Sequence, residues 1–209
     1  MITRQTMRAI EWFMPALLVS NLATAYIVKK NSINPYRDMN NAMQSMARAD
    51  GPFVVIIGDS LTNNAHFPSQ ICKYRTINMG IAGGRASTFI QYAEQMSFSN
   101  LHPSLVVVAI GVNDALQTGG SDFKDSLELL LRNLPRAPLA LTTVFQNVAS
   151  VDTINEEIRK AANRKGAILI ETESLGISTS DGIHPTHASQ PTWENAIVSG
   201  IRRGLGCSD

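Results

Sequence analysis

After Pro52 the chain alternates short apolar runs with longer amphipathic stretches, and this alternation narrows the accessible folds more than any other feature. The runs are Phe53 to Ile57, Thr76 to Met79, Leu105 to Ile110, Leu139 to Val144 and Ala167 to Ile170. Continuous apolar runs of this length suit strands covered on both faces, which means βα units around a buried parallel sheet. Two helices are well marked between and after the runs. One starts at the Thr153-x-x-Glu156 capping box, carries Ile154, Ile158, Ala161 and Ala162 on one face and stops at Gly166. The other begins near Ser189 with Pro191 in its first turn and turns Trp193, Ile197 and Ile201 inward before Gly204.

A chain of 209 residues fits one such domain plus a modest appendage. With 44% apolar and 17% charged residues it can build a core, which excludes disorder. The formal charge of +1 gives no electrostatic footprint for a nucleic acid. Cys72 and Cys207 form no C-x-x-C pair, so a zinc ribbon, a thioredoxin-type motif and a disulfide framework are excluded. One disulfide and two free thiols both stay open.

The appendage is the first thirty residues. From Trp12 to Val28 there is no charge; Arg4 and Arg8 precede the run, and Lys29 and Lys30 end it. An uncleaved membrane anchor is the leading reading, although the run sits at the short end of the roughly 17 to 25 residues that span a bilayer core. Ala23-Thr24-Ala25 offers a signal-peptidase site, and a helix packed on the domain is the third reading. Either of the first two displays the domain outside the cytoplasm, with the bacterial periplasm as the expected location. Residues 31–52 read as a connector, in which Met39, Ala42, Met43 and Met46 form a helical stripe for ordinary packing. Residues 53–209 form the domain proper.

Ligands of an open parallel sheet bind beyond the carboxyl ends of its strands, so the loops after the runs are the places to look for chemistry. Four of them carry Gly58-Asp59-Ser60-Leu61, Asn78-Met79-Gly80-Ile81-Ala82-Gly83-Gly84, Gly111-Val112-Asn113-Asp114 and Asp181-Gly182-Ile183-His184-Pro185. Each is an ordinary turn sequence alone. Together and in this order they resemble the four blocks of the SGNH, or GDSL, hydrolase superfamily.

The resemblance implies a flavodoxin-like three-layer α/β/α sandwich with a five-stranded parallel sheet, in which the first and third runs are neighbours and bring Ser60 and Asn113 to one rim. It also implies a carboxylic-ester hydrolase with a Ser-His-Asp triad. Acyl transfer needs a nucleophile, a base, a group that orients the base, and donors for an oxyanion. Ser60 supplies the first, His184 the second and Asp181 the third. The oxyanion hole would be the backbone N–H groups of Ser60 and Gly83 with the side-chain amide of Asn113. No cofactor and no metal are required. Asp59 and Asp114 are expected to organise their own loops through backbone hydrogen bonds.

Rival readings fit less well. Gly80-x-x-Gly83-Gly84 is neither G-x-G-x-x-G nor a Walker loop, and Ser60 does not sit in G-x-S-x-G. Asp181, His184 and His187 imitate a metal cluster, but His66 and His102 follow other strands. An acyltransferase of the same fold acting on surface polysaccharide, and a catalytically silent tethered binding module, use the same residues. The expected partner is a small-molecule, carbohydrate or lipid ester, and a monomer is the expected state. His184-Pro185 followed by Gln190-Pro191 is similar to the thioesterase and lysophospholipase branch, while acetyl esters of carbohydrate fit equally. Only residues 143–152 are read as long enough for a lid, and Ile81, Val112, Phe145 and Val148 suggest a shallow apolar patch for a short acyl group.

Overall fold

The computed structural model describes residues 35–207, so the reading of residues 1–30 as an anchor or signal lies outside the described residues. Helix α1 (Pro35–Ala47) is followed by strand β1 (Phe53–Gly58), short helix α2 (Ser60–Asn64), β2 (Gln70–Ile71) and β3 (Tyr74–Gly80). A 3₁₀ turn at Ala86–Phe89 enters α3 (Ile90–Phe98), then come β4 (Leu105–Ala109), α4 (Val112–Thr118) and α5 (Phe123–Asn133). The chain ends with β5 (Leu139–Thr142), α6 (Val151–Lys165), β6 (Ile168–Ile170) and α7 (Gln190–Leu205).

All five apolar runs became strands, in the order β2-β3-β1-β4-β5-β6. Five of the six strands are mutually parallel, and β1 lies between β3 and β4, which sets the first and third apolar runs side by side as expected. The expected count of five was one short. Strand β2 is two residues long, runs antiparallel to β3 and leaves no apolar run to be read.

Strand alternation sorts the core into two layers. Val55, Ile57, Val106 and Val108 meet α1, α3, α5 and α6 on one face, and Val54, Ile56, Leu105 and Val107 meet Trp193, Ile197 and Ile201 of α7 on the other. Every residue of β1 and β4 is buried, and each such Val, Leu or Ile contributes about 1.5–3 kcal/mol over its exposed state. The stripe of Met39, Ala42, Met43 and Met46 is buried in the first layer. Among the described residues no helix is long and apolar enough to cross a membrane.

Two helix boundaries differ from those read in the sequence. Helix α6 begins at Val151, before the Thr153 box, because Val151 is itself buried and draws the first turn into the core. Ser150 takes the cap position with no side-chain cap bond. Helix α7 continues through Gly204 and closes at left-handed Gly206. Gly200 and Gly204 are instead points of close approach: a Cβ on them would stand 2.2 Å from Ile170 Cδ1 and 2.8 Å from Ile168 Cδ1. A disulfide joins Cys72, in the β2–β3 turn, to Cys207 just beyond α7, which settles the pairing the sequence left open.

Candidate active site

The nucleophile candidate stands where β1 ends. Asp59 caps α2 by accepting the Leu61 N–H at 2.9 Å, and this turns Ser60 into the first helical residue at the sheet rim. The helix lies flat on the strand ends because Gly58 and Gly80 lack side chains; a Cβ on Gly80 would fall 2.1 Å from the backbone nitrogen of Asn63. Its first-turn N–H groups, that of Ser60 among them, have no intrahelical acceptor.

The candidate base arrives on the long segment between β6 and α7. Asp181 folds this segment on itself, its Oδ1 accepting the N–H groups of Ile183 at 3.0 Å and His184 at 2.7 Å. A bridge between Thr179 and Pro185 closes the loop behind it. The other carboxylate oxygen, Oδ2, lies 2.7 Å from His184 Nδ1, while His184 Nε2 lies 2.9 Å from Ser60 Oγ. An ionised carboxylate only accepts, so Nδ1 carries the proton and the neutral ring leaves Nε2 free to accept the seryl O–H. The hydrogen bond from the His184 ring, then those from its backbone and Ile183, hold the Asp181 carboxyl far below the usual carboxylate range. Both side chains are well exposed, so hydrogen-bond geometry rather than burial sets this arrangement.

The expected oxyanion donors gather opposite. Gly111, at φ 133°, bends the chain sharply after β4 so that α4 presents Asn113 in its first turn. Gly83 adopts φ +74°, with open space where a side chain would be. Three hydrogen bonds clasp this glycine loop to α4. Asn113 Nδ2 donates to Gly84 O and Gln117 Nε2 to Gly83 O, both at 3.2 Å, and both oxygens of Asp114 accept the Ala86 N–H at 3.2 Å. Asn113 spends one amide hydrogen on Gly84 and keeps the second for the site.

Asp114 thus corrects the expectation that it serves its own loop: its carboxylate reaches the neighbouring one. Desolvation pushes its carboxyl up to about 6 against that bond. Asp59 is buried too, and desolvation pushes it to about 7 despite the Leu61 bond. Gln117 was not singled out in the sequence; its place one helical turn after Asn113 is the only signal that could have found it. Its Nε2 also lies 3.5 Å from Asn113 Oδ1, the limit of a bond that would orient the amide.

No family model and no curated protein matches the sequence. Solved structures do match over most of the chain. A carbohydrate esterase family 3 protein from Talaromyces cellulolyticus is 13% identical, with TM-score 0.59 over 75% of this chain and 99% of that one. A G-D-S-L family lipolytic protein from Veillonella parvula is 16% identical, with TM-score 0.61 over 73% and 100%. The inhibitor-bound aryl esterase of M. smegmatis gives 14% and 0.61 over 74% and 100%. The fold is that of the SGNH hydrolases.

Within this SGNH fold the five expected site residues fall into two groups, since Ser60, Asp181 and His184 form one hydrogen-bonded chain and Gly83 and Asn113 share the clasped loops. His66, His102 and His187 are all exposed, and among the described residues no three metal-ligating side chains cluster. A small crevice beside Ser60 and His184 is walled by Leu61, Asn64, Pro185, Gln190 and Trp193. This replaces the patch expected from Ile81 and Val112, which are buried in the core. The loop lengths also differ from the expectation: residues 171–189, longer than the loop after β5, form the long segment at the site and bring Asp181 and His184 to Ser60.

Proposed function

We propose that this chain is a serine ester hydrolase acting on acetyl or other short acyl esters. The observation that carries the reading is the chain of contacts from Asp181 through His184 to Ser60, at 2.7 and 2.9 Å. In the proposed cycle Ser60 Oγ adds to the ester carbonyl carbon while His184 Nε2 takes its proton. The carbonyl oxygen becomes an oxyanion received by the N–H groups of Ser60 and Gly83 and by Asn113 Nδ2. Collapse expels the alcohol, which leaves with the proton from His184. Water then adds to the acyl-serine by the same route in reverse roles. Asp181 stays ionised throughout and stabilises the imidazolium.

The crevice supports a small acyl or alcohol group, and its mixture of amide side chains with Trp193 suits an acetylated carbohydrate as well as a simple ester. The disulfide supports an oxidising compartment, in keeping with display outside the cytoplasm by the N-terminal segment. The test is a fluorophosphonate probe beside a chromogenic acetyl ester, on wild type and Ser60→Ala. Wild type should label and turn over, and the variant should do neither. Labelling of wild type without hydrolysis favours transfer to another acceptor, and absence of both favours a binding module.

A further inference from the structure

Residues 176–188, which carry Asp181 and His184, are mostly bonded to themselves and to the first turn of α7 that continues them. Apart from the Ser60–His184 contact, one hydrogen bond among the described residues reaches this segment from the body of the domain. It comes from Gln146, in the loop after β5, whose Nε2 donates to Ile183 O at 2.8 Å. Ile183 directly precedes His184 and packs on the core beside it.

Gln146 is 2% exposed, an unusual place for an amide unless both ends are used. Its Oε1 is buried and accepts nothing among the described residues. Gln146 lines a crevice together with Asp59, the residue before Ser60, and with Thr142, whose hydroxyl is likewise buried without a partner among the described residues. One side chain therefore stands between the backbone that carries the base and the buried groups beneath the nucleophile.

We infer that Gln146 is a positioning residue, which fixes the height of His184 over Ser60 by gripping the Ile183 carbonyl from inside the domain. The inference rests on the hydrolase reading for its kinetic consequence, but its structural content is independent of it. The amide acts through geometry: without the grip, the exposed segment keeps its internal Asp181–His184 bond yet loses its registry with the serine. Misplacement of a catalytic group by about 1 Å can cost about 10²-fold in rate.

Two variants and one NMR comparison test this. Gln146→Leu keeps the volume and deletes the donor; kcat should fall about 10²-fold with KM nearly unchanged. Gln146→Glu carries a donor only while protonated, so its kcat/KM relative to Gln146→Leu should climb as pH is lowered. A role in packing alone would leave that ratio flat with pH, and a flat ratio overturns the proposal. The third measurement follows the His184 Nδ1 proton by NMR, assigned through its loss in Asp181→Asn. Faster solvent exchange of that proton in Gln146→Leu supports the grip, and an unchanged signal with unchanged kcat overturns it. Should wild type neither label nor turn over, the hydrolase reading falls, and the NMR comparison alone still decides whether Gln146 holds the segment. Should Gln146→Leu fail to fold, the pH response of Gln146→Glu against wild type decides.

Discussion

Removing the Cys72–Cys207 bridge should destabilise the protein strongly while sparing the site. The two cysteines are separated by 135 residues, so the bridge closes the described domain from β3 onward into one loop. Chain-entropy arithmetic for a loop of that length gives about 5 kcal/mol at 25 °C, and losses measured on deleting native bridges run from about 2 to 5. The bridge joins the turn that starts β3 to the residue following α7, at the amino end of the strands, whereas Ser60 and Asn113 lie beyond their carboxyl ends. The double variant Cys72→Ser/Cys207→Ser, read by fluorescence of buried Trp193 during urea unfolding, should lose about 4 kcal/mol. With a slope of about 2 kcal/mol per molar urea the midpoint should fall by about 2 M. Ester turnover in the absence of denaturant should match wild type. A midpoint within about 0.5 M of wild type, or a loss of turnover in the folded variant, would refute the reasoning.

Asn113→Ala should lower kcat by about 10² to 10³ with little change in KM, because in the proposed cycle the amide would contact charge that develops only in the transition state. A risen KM at unchanged kcat would make Asn113 a substrate-binding residue. Asp59 should make stability fall with rising pH: burial raises its native value to about 7, so the native state keeps a proton that the unfolded chain releases. Its contribution is whole below about pH 4 and lost as pH climbs through about 7, a change of about 4 kcal/mol. Asp59→Asn should therefore gain more in Tm over wild type at pH 8 than at pH 5, and an equal difference at both would count against a buried, proton-linked carboxyl. On nitrophenyl esters kcat/KM should peak between acetyl and butyryl, since the small crevice walled by Leu61, Asn64, Pro185, Gln190 and Trp193 cannot cover a long chain. A maximum at octanoyl or beyond would place the acyl group elsewhere.

Much of this arrangement is written locally. Strands β1 and β4 show as uninterrupted apolar runs because both their faces are covered, and the glycines and short polar residues that follow them mark the turns at which chemistry collects. What escaped depends on groups distant in the chain. Gly204 looks like a helix stop, but it is small to admit Ile168 and Leu105. The Thr153 box looks like a helix start, but burial of Val151 extends the helix past it. The long segment after β6 has no periodicity of its own, so its path could not be read, although Asp181 and His184 could. The clasp made by Asn113, Asp114 and Gln117 joins residues about thirty positions apart, which no local pattern encodes.

The separate routes by which the site's parts arrive have a consequence for engineering. Ser60, Gly83 and Asn113 are set by strand ends and by loops clasped to one another, whereas Asp181 and His184 come together on one contiguous stretch that closes largely on itself. That stretch behaves as a cassette. Sequences of the same length could be exchanged into it to reshape the crevice wall at Pro185, provided that the carbonyl before the histidine still meets Gln146, while the half of the site built on the strand ends is inherited unchanged.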